Sequence, residues 1–173
     1  MNKYVIYSDC KYFPLDRPCI YQKNKNAVCS SCTKYVSIKK SSENLTNILI
    51  IKLGAMGDVL RTTFILEGLK QKYKNISIDW LVEEKNKDTL TGNKYIDNII
   101  INNSKVFSFL TSTKYNIVIN LDLAPESLAF ATMAMADKKI GYWLDGNRKI
   151  KASNKYARQW LLTSAYDTLK KEN

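Results

Sequence analysis

Histidine is absent from all 173 residues. That removes the side chain that usually serves as a neutral-pH base, proton shuttle or imidazole metal ligand, so any acid–base step must fall to a carboxylate, lysine, tyrosine or cysteine. No apolar run approaches the ~18 to ~20 residues needed to span a bilayer, and the sequence does not read as an integral membrane protein. The N-terminal stretch has a basic residue but only a scrap of apolar sequence and no small-residue cleavage site, so it does not read as a signal peptide. Internal repeats and low-complexity tracts are missing too. Both phosphate fingerprints are absent: there is no G-x-G-x-x-G, no acid clearly ends the second strand as a ribose ligand, and no Gly-Lys-Ser/Thr follows a glycine loop.

Cysteine is scarce and confined to the first fifth of the chain, as Cys10, Cys19, Cys29 and Cys32. Without a secretion signal, thiols stay reduced, and four clustered ones read better as a metal site than as two disulfides. Only the last pair has C-x2-C spacing, so four ordinary thiols remain the competing reading. A four-thiolate site would take zinc first and iron second, at ~2.3 Å if zinc. With no open coordination position it would be structural, stapling a segment that has few core-forming residues of its own. Residues 1–46 therefore read as a cysteine-rich, zinc-binding segment and polar linker, and residues 47–173 as the main domain.

At 173 residues and 45% hydrophobic, the chain can bury a full core of one domain or a little more. Its net charge of +11 would suit a nucleic acid, an anionic lipid headgroup or a phosphorylated sugar. The excess is mostly Lys, with Asn and Ile also abundant, and generic surface charge is the favoured explanation.

The main domain is organised around residues 47–73. Residues 48–53 are a β-branched apolar run, as expected of a strand buried on both faces. Val59, Thr62, Leu66, Leu69 and Tyr73 then recur at helical spacing and predict one amphipathic helix. Between them lie Gly54, Gly57 and Asp58, in a strand–turn–helix corner of the kind where α/β proteins bind ligands. Further strands are expected at 76–82, 96–101, 115–121 and 138–142, with helices at 105–113, 126–136 and 154–171, and a short one within 83–92. Ala157, Trp160, Leu161, Ser164 and Leu169 supply an apolar face on the last helix, and Asp145-Gly146 marks a hairpin. Alternating strands and helices predict an α/β, Rossmann-like parallel sheet flanked by helices. Asp58 reads either as a helix N-cap or as a carboxylate kept ionised by the helix terminus and able to accept a proton.

The run from Ile48 through Lys52, Gly54, Gly57, Asp58 and Arg61 to Thr63, with residues 93–97 and 115–122 downstream, resembles the N-terminal half of the family 9 glycosyltransferases, the lipopolysaccharide heptosyltransferases. The resemblance implies half of a GT-B fold and, when complete, an inverting enzyme needing no catalytic metal and using a nucleotide-sugar donor. It implies Asp58 as the base that deprotonates an acceptor hydroxyl. Gly54 and Gly57 would admit the sugar to the backbone, Arg61 would meet an acceptor phosphate or carboxylate, and Asn120 and Asp122 would open onto the same cleft. The acceptor would be an anionic glycolipid or glycan, met in the cytoplasm at the inner face of the cytoplasmic membrane. The family's donor domain, and with it the nucleotide site, is expected to follow this chain, which alone would be inactive. Two rivals remain: a basic zinc-knuckle module that binds nucleic acid, whose affinity would fall steeply with salt, and a nucleotide-binding α/β enzyme of another type.

Overall fold

Ile48, Leu49, Ile50 and Ile51 are completely buried, as a β-branched run without polar alternation requires of a strand covered on both faces. They lie at the centre of the computed structural model, which describes residues 5–10, 12–14, 17–37 and 45–166. The chain divides into two compact units, Met1–Glu43 and Asn44–Asn173.

The smaller unit contains α1 (Ile20–Lys25) and a 3₁₀ turn at Cys29–Ser31. Asn26 ends α1 in the left-handed conformation, at φ 48°, which asparagine tolerates better than most residues. Asp9 ties early and late parts of the segment together, accepting hydrogen bonds from Tyr35 Oη at 2.7 Å and Ser37 Oγ at 2.6 Å. Edge-to-face ring pairs, Tyr7 with Tyr35 and Tyr12 with Tyr21, add the packing that so small a segment otherwise lacks.

In the larger unit the order is β1 (Thr46–Ile51), α2 (Met56–Thr62), α3 (Ile65–Lys72), β2 (Ile76–Val82), β3 (Asn98–Ile101), α4 (Val106–Ser112), β4 (Lys114–Asn120), α5 (Pro125–Met133), β5 (Met135–Leu144), β6 (Ile150–Ala152) and α6 (Lys155–Ala165). The six strands form one sheet in the order β3-β2-β1-β4-β5-β6. The first five are parallel, and β6 turns back antiparallel on β5. Ile48 and Ile50 pack into one core layer with Val59, Leu66 and Trp80. Leu49 and Ile51 pack into the opposite layer with Leu110, Tyr115 and Ala131. This is the mostly parallel, helix-flanked sheet expected from the alternation of elements. Because the chain leaves β1 toward β2 on one side and returns through β4 on the other, the carboxyl ends of β1 and β4 bound the crevice where doubly wound sheets hold ligands.

Local departures have local causes. The single helix expected over 59–73 is two, α2 and α3. Thr62 Oγ1 donates to the Asp58 carbonyl at 2.7 Å and Thr63 Oγ1 to the Leu60 carbonyl at 2.7 Å, so hydroxyl groups compete for carbonyls of the ladder. The helix expected over 126–136 stops at Met133, because Met135 and Ala136 pair with Lys114 and Tyr115 at the start of β5. Strand pairing there overrides the helix propensity of an Ala-rich run. β3 begins at Asn98 rather than at 96. α6 starts where expected, with Asn154 accepting hydrogen bonds from the amides of Tyr156 and Ala157, but none of its residues is buried. Residues 167–171 of that expected helix, with Leu169, lie outside the described residues.

Candidate active site

Lys52 follows directly on β1, and its side chain is only 11% exposed. A lysine so placed must keep its charge satisfied, and Nζ reaches Asp122 Oδ2 at 3.5 Å and Asp58 Oδ2 at 3.8 Å. The two acids come from the two strand ends at the switch point: Asp58 from the turn after β1, Asp122 from the turn after β4. Their separation is governed by the sheet, where Ile51 pairs with Asn120. Lys52, Asp58, Arg61, Asp122, Phe64 and Trp160 line one cleft of about 310 Å³, at the small end of the range for ligand pockets.

Asp58 is not the N-cap. Ala55 occupies that position and no side chain caps α2 there, so Asp58 stands in the first turn as its third residue. Its carboxylate accepts a hydrogen bond from Arg61 Nη2, one turn on, and that contact, followed by the charge of Lys52, holds its pKa below the usual carboxylate value. Asp58 is therefore ionised at neutral pH. Its side chain is 42% exposed, while that of Arg61 is 81% exposed, so both can meet an incoming ligand.

Glycine at 54 and 57 is not imposed by internal packing. A Cβ at Gly54 would meet only Asn86 Nδ2 at 3.6 Å, an ordinary contact, and one at Gly57 would meet nothing within 4 Å. Asn86 itself is buried and donates from Nδ2 to the Leu53 carbonyl at 2.8 Å, which anchors the start of the loop. Asn120, by contrast, is fully buried. Its Nδ2 donates to the carbonyls of Asp122 at 3.0 Å and Tyr142 at 2.9 Å, and its Oδ1 accepts from the Asp122 amide at 3.0 Å. Asn120 shapes the turn that carries Asp122 and turns inward, away from the cleft. Asp122 has two duties, accepting from the Ala124 amide at 3.3 Å as well as pairing with Lys52.

In the smaller unit all four cysteines are free thiols, and all four line one cavity of about 400 Å³. Among the described residues, however, no group of three or more His, Cys, Asp or Glu side chains stands in a metal-holding arrangement. The donor set is chemically apt for zinc, but its thiols are not gathered at coordination distance.

Lys52, Phe64 and Trp160 are among the cleft residues that the sequence did not single out as ligand contacts. For Lys52 a signal existed, since a lysine closing an otherwise apolar buried strand needs a counter-charge, and one acid, Asp58, follows six residues on. Trp160 sits on the face of the last helix that the sequence marks as apolar and Phe64 falls in the break between α2 and α3, so only the fold reveals that both stand exposed at the cleft.

No family model matches the chain. In sequence it is 26% identical over 118 residues to lipopolysaccharide heptosyltransferase 1 of Campylobacter coli, an alignment that takes in 63% of this chain and 34% of that protein. In structure it is similar to the E. coli heptosyltransferase WaaC solved with ADP, at TM-score 0.50 and 25% identity, over 56% of this chain and 35% of that one. A family 9 glycosyl transferase from Veillonella parvula shows TM-score 0.48 and 26% identity, over 56% of this chain and 31% of that one. The chain thus spans about a third of the length of the relatives it matches. Heptosyltransferases are its homologues by sequence and by structure, and the nucleic-acid reading is not favoured. No helix among the described residues is long and apolar enough to cross a membrane.

Proposed function

We propose that the larger unit is the acceptor side of a heptosyltransferase-like glycosyltransferase, with Asp58 as the base. The observation that carries this reading is an ionised, half-open carboxylate at the switch point, flanked by a buried lysine and an exposed arginine, in a chain whose relatives transfer heptose to lipopolysaccharide. In the proposed reaction an acceptor hydroxyl lies against Asp58, its oxygen attacks the anomeric carbon of the activated sugar, and its proton passes to the carboxylate. The bond from that carbon to the nucleotide diphosphate breaks, and the diphosphate leaves with the electron pair. A second nucleotide-binding unit presents the donor across the cleft. Residues 1–173 alone then do not transfer sugar.

Pairing with Arg61 makes Asp58 a weak base in the free protein. An anionic acceptor answers this by drawing the exposed guanidinium onto its own phosphate or carboxylate, which returns proton affinity to Asp58 as the hydroxyl arrives. Open space at Gly57 leaves the helix start accessible to the sugar. In the complete transferase, Asp58→Asn should lower kcat by roughly 10² to 10⁴ while the protein stays folded by circular dichroism. Near-native turnover by that variant would remove Asp58 from the base role.

For the smaller unit we propose a structural metal site in which zinc draws the four thiols of the shared cavity together. What supports it is that four cysteines outside any disulfide line one cavity. Elemental analysis of purified protein should find close to one zinc per chain, and less than about a fifth of an equivalent of zinc or iron would sink the idea.

A further inference from the structure

Two of the most exposed large side chains in the larger unit stand at the cleft that holds Asp58. Phe64 is 80% exposed and Trp160 is 67% exposed, yet both line the cleft with Lys52, Arg61 and Asp122. They reach it by independent routes. Phe64 sits at the break between α2 and α3, where the Thr62 and Thr63 hydroxyls take carbonyls from the ladder. Trp160 lies midway along α6, a helix none of whose residues is buried. Leaving two aromatic side chains in water forgoes the burial that usually governs their placement. Their meeting at one charged cleft therefore calls for a ligand.

The chemistry of the cleft narrows what that ligand is. Its carboxylates accept hydrogen bonds, so they favour a molecule with several hydroxyl groups over a hydrocarbon chain, which would leave ionised groups facing methylenes. The face of an aromatic ring is electron-rich and suits the polarised C–H faces of a sugar ring. Arg61 offers a planar guanidinium to a carboxylate or phosphate.

We infer that Phe64 and Trp160 form an aromatic clamp for a pyranose ring that bears an anionic substituent. The ring's C–H faces lie against the two aromatic side chains, its hydroxyls toward Asp58 and Asp122, and its anion toward Arg61. The inference rests on the acceptor reading of this cleft and adds to it the two side chains that hold the sugar ring.

The test titrates the 173-residue chain with glucuronic acid, glucose 6-phosphate and uncharged methyl glucoside, read by saturation-transfer NMR. The charged sugars should bind more tightly than methyl glucoside, with the strongest transfer at ring C–H protons. Phe64→Ala and Trp160→Ala should each weaken binding about ten-fold. Phe64→Tyr and Trp160→Phe, which keep a ring, should stay within about three-fold of the parent. Circular dichroism should be unchanged in all four, because neither side chain is buried. If the double variant Phe64→Ala/Trp160→Ala keeps the parent's affinity, the clamp is overturned while the acceptor reading stands. If none of the three sugars binds the parent chain, both fall. A parallel arm uses vesicles of phosphatidylglycerol and phosphatidylethanolamine: a double variant that loses vesicle binding but keeps sugar affinity would make the pair a lipid-facing surface and overturn the clamp.

Discussion

Lys52→Met isolates one charge, because methionine keeps most of the lysine stem and its packing while removing the ammonium. The Lys52–Asp122 pair joins side chains that are 11% and 15% exposed at 3.5 Å. At that distance the attraction is roughly 5 kcal/mol in a medium of effective dielectric about 20. Much of this offsets the desolvation of the lysine, so the net worth of the pair is smaller. The variant, however, strands the Asp122 carboxylate, and removing one partner of a fully buried pair costs about 3 to 5 kcal/mol. Because this pair borders an open cleft, a loss of about 2 to 3 kcal/mol is expected. Urea unfolding of the purified chain reads this directly: with a slope near 2 kcal/mol/M, the midpoint should fall by about 1 to 1.5 M. Adding Asp122→Asn removes the stranded charge, and the double variant should recover much of the loss, giving a clear coupling energy. A midpoint shift below about 0.3 M for Lys52→Met, or no recovery in the double variant, would refute the bridging role.

Arg61→Ala removes the largest cause of the low Asp58 pKa. Since a depressed carboxylate contributes stability above its unfolded pKa and loses it as pH falls through the folded one, the variant's loss should begin at higher pH. Carboxyl carbon NMR titration should show the Asp58 midpoint rising toward the ordinary value, and an unmoved midpoint would contradict the pairing. Gly141→Ala should be severely destabilising. Gly141 has φ +89°, and a Cβ there would fall 1.8 Å from the Asn120 carbonyl oxygen. Conformational strain and displacement of β4 together should cost more than about 3 kcal/mol, and a thermal melt close to the parent's would refute the close approach.

Much of this architecture was legible because the strands are β-branched runs set off by glycine and asparagine, and period-two and helical patterns rarely overlap along the chain. The corner from Gly54 to Asp58 was legible as a turn with two glycines and one acid between a buried strand and an amphipathic helix, although the helix begins within it, at Met56. What escaped notice depends on distant pairing. The end of α5 is decided by β4, which claims Met135 and Ala136 as strand partners. Asn120 lies one pairing step from Gly141, and its inward turn depends on the Tyr142 carbonyl. Neither neighbour is close to it in the chain. The sequence shows that Lys52 needs a counter-charge, but that Asp122 supplies one is visible only where the ends of β1 and β4 meet.

The cleft is built from parts of unequal rigidity. Lys52 and Asp122 hang from adjacent central strands whose alignment is locked by sheet hydrogen bonds, whereas Phe64 and Trp160 ride on a helix break and an unburied helix. On the proposed reading, a protein divided in this way can change its choice of sugar without disturbing the base role assigned to Asp58. Exchanging Phe64 or the face of α6 should retune recognition, while Lys52 and Asp122 stay where the sheet puts them. That makes the two peripheral segments the natural place to graft new acceptor preferences onto this scaffold.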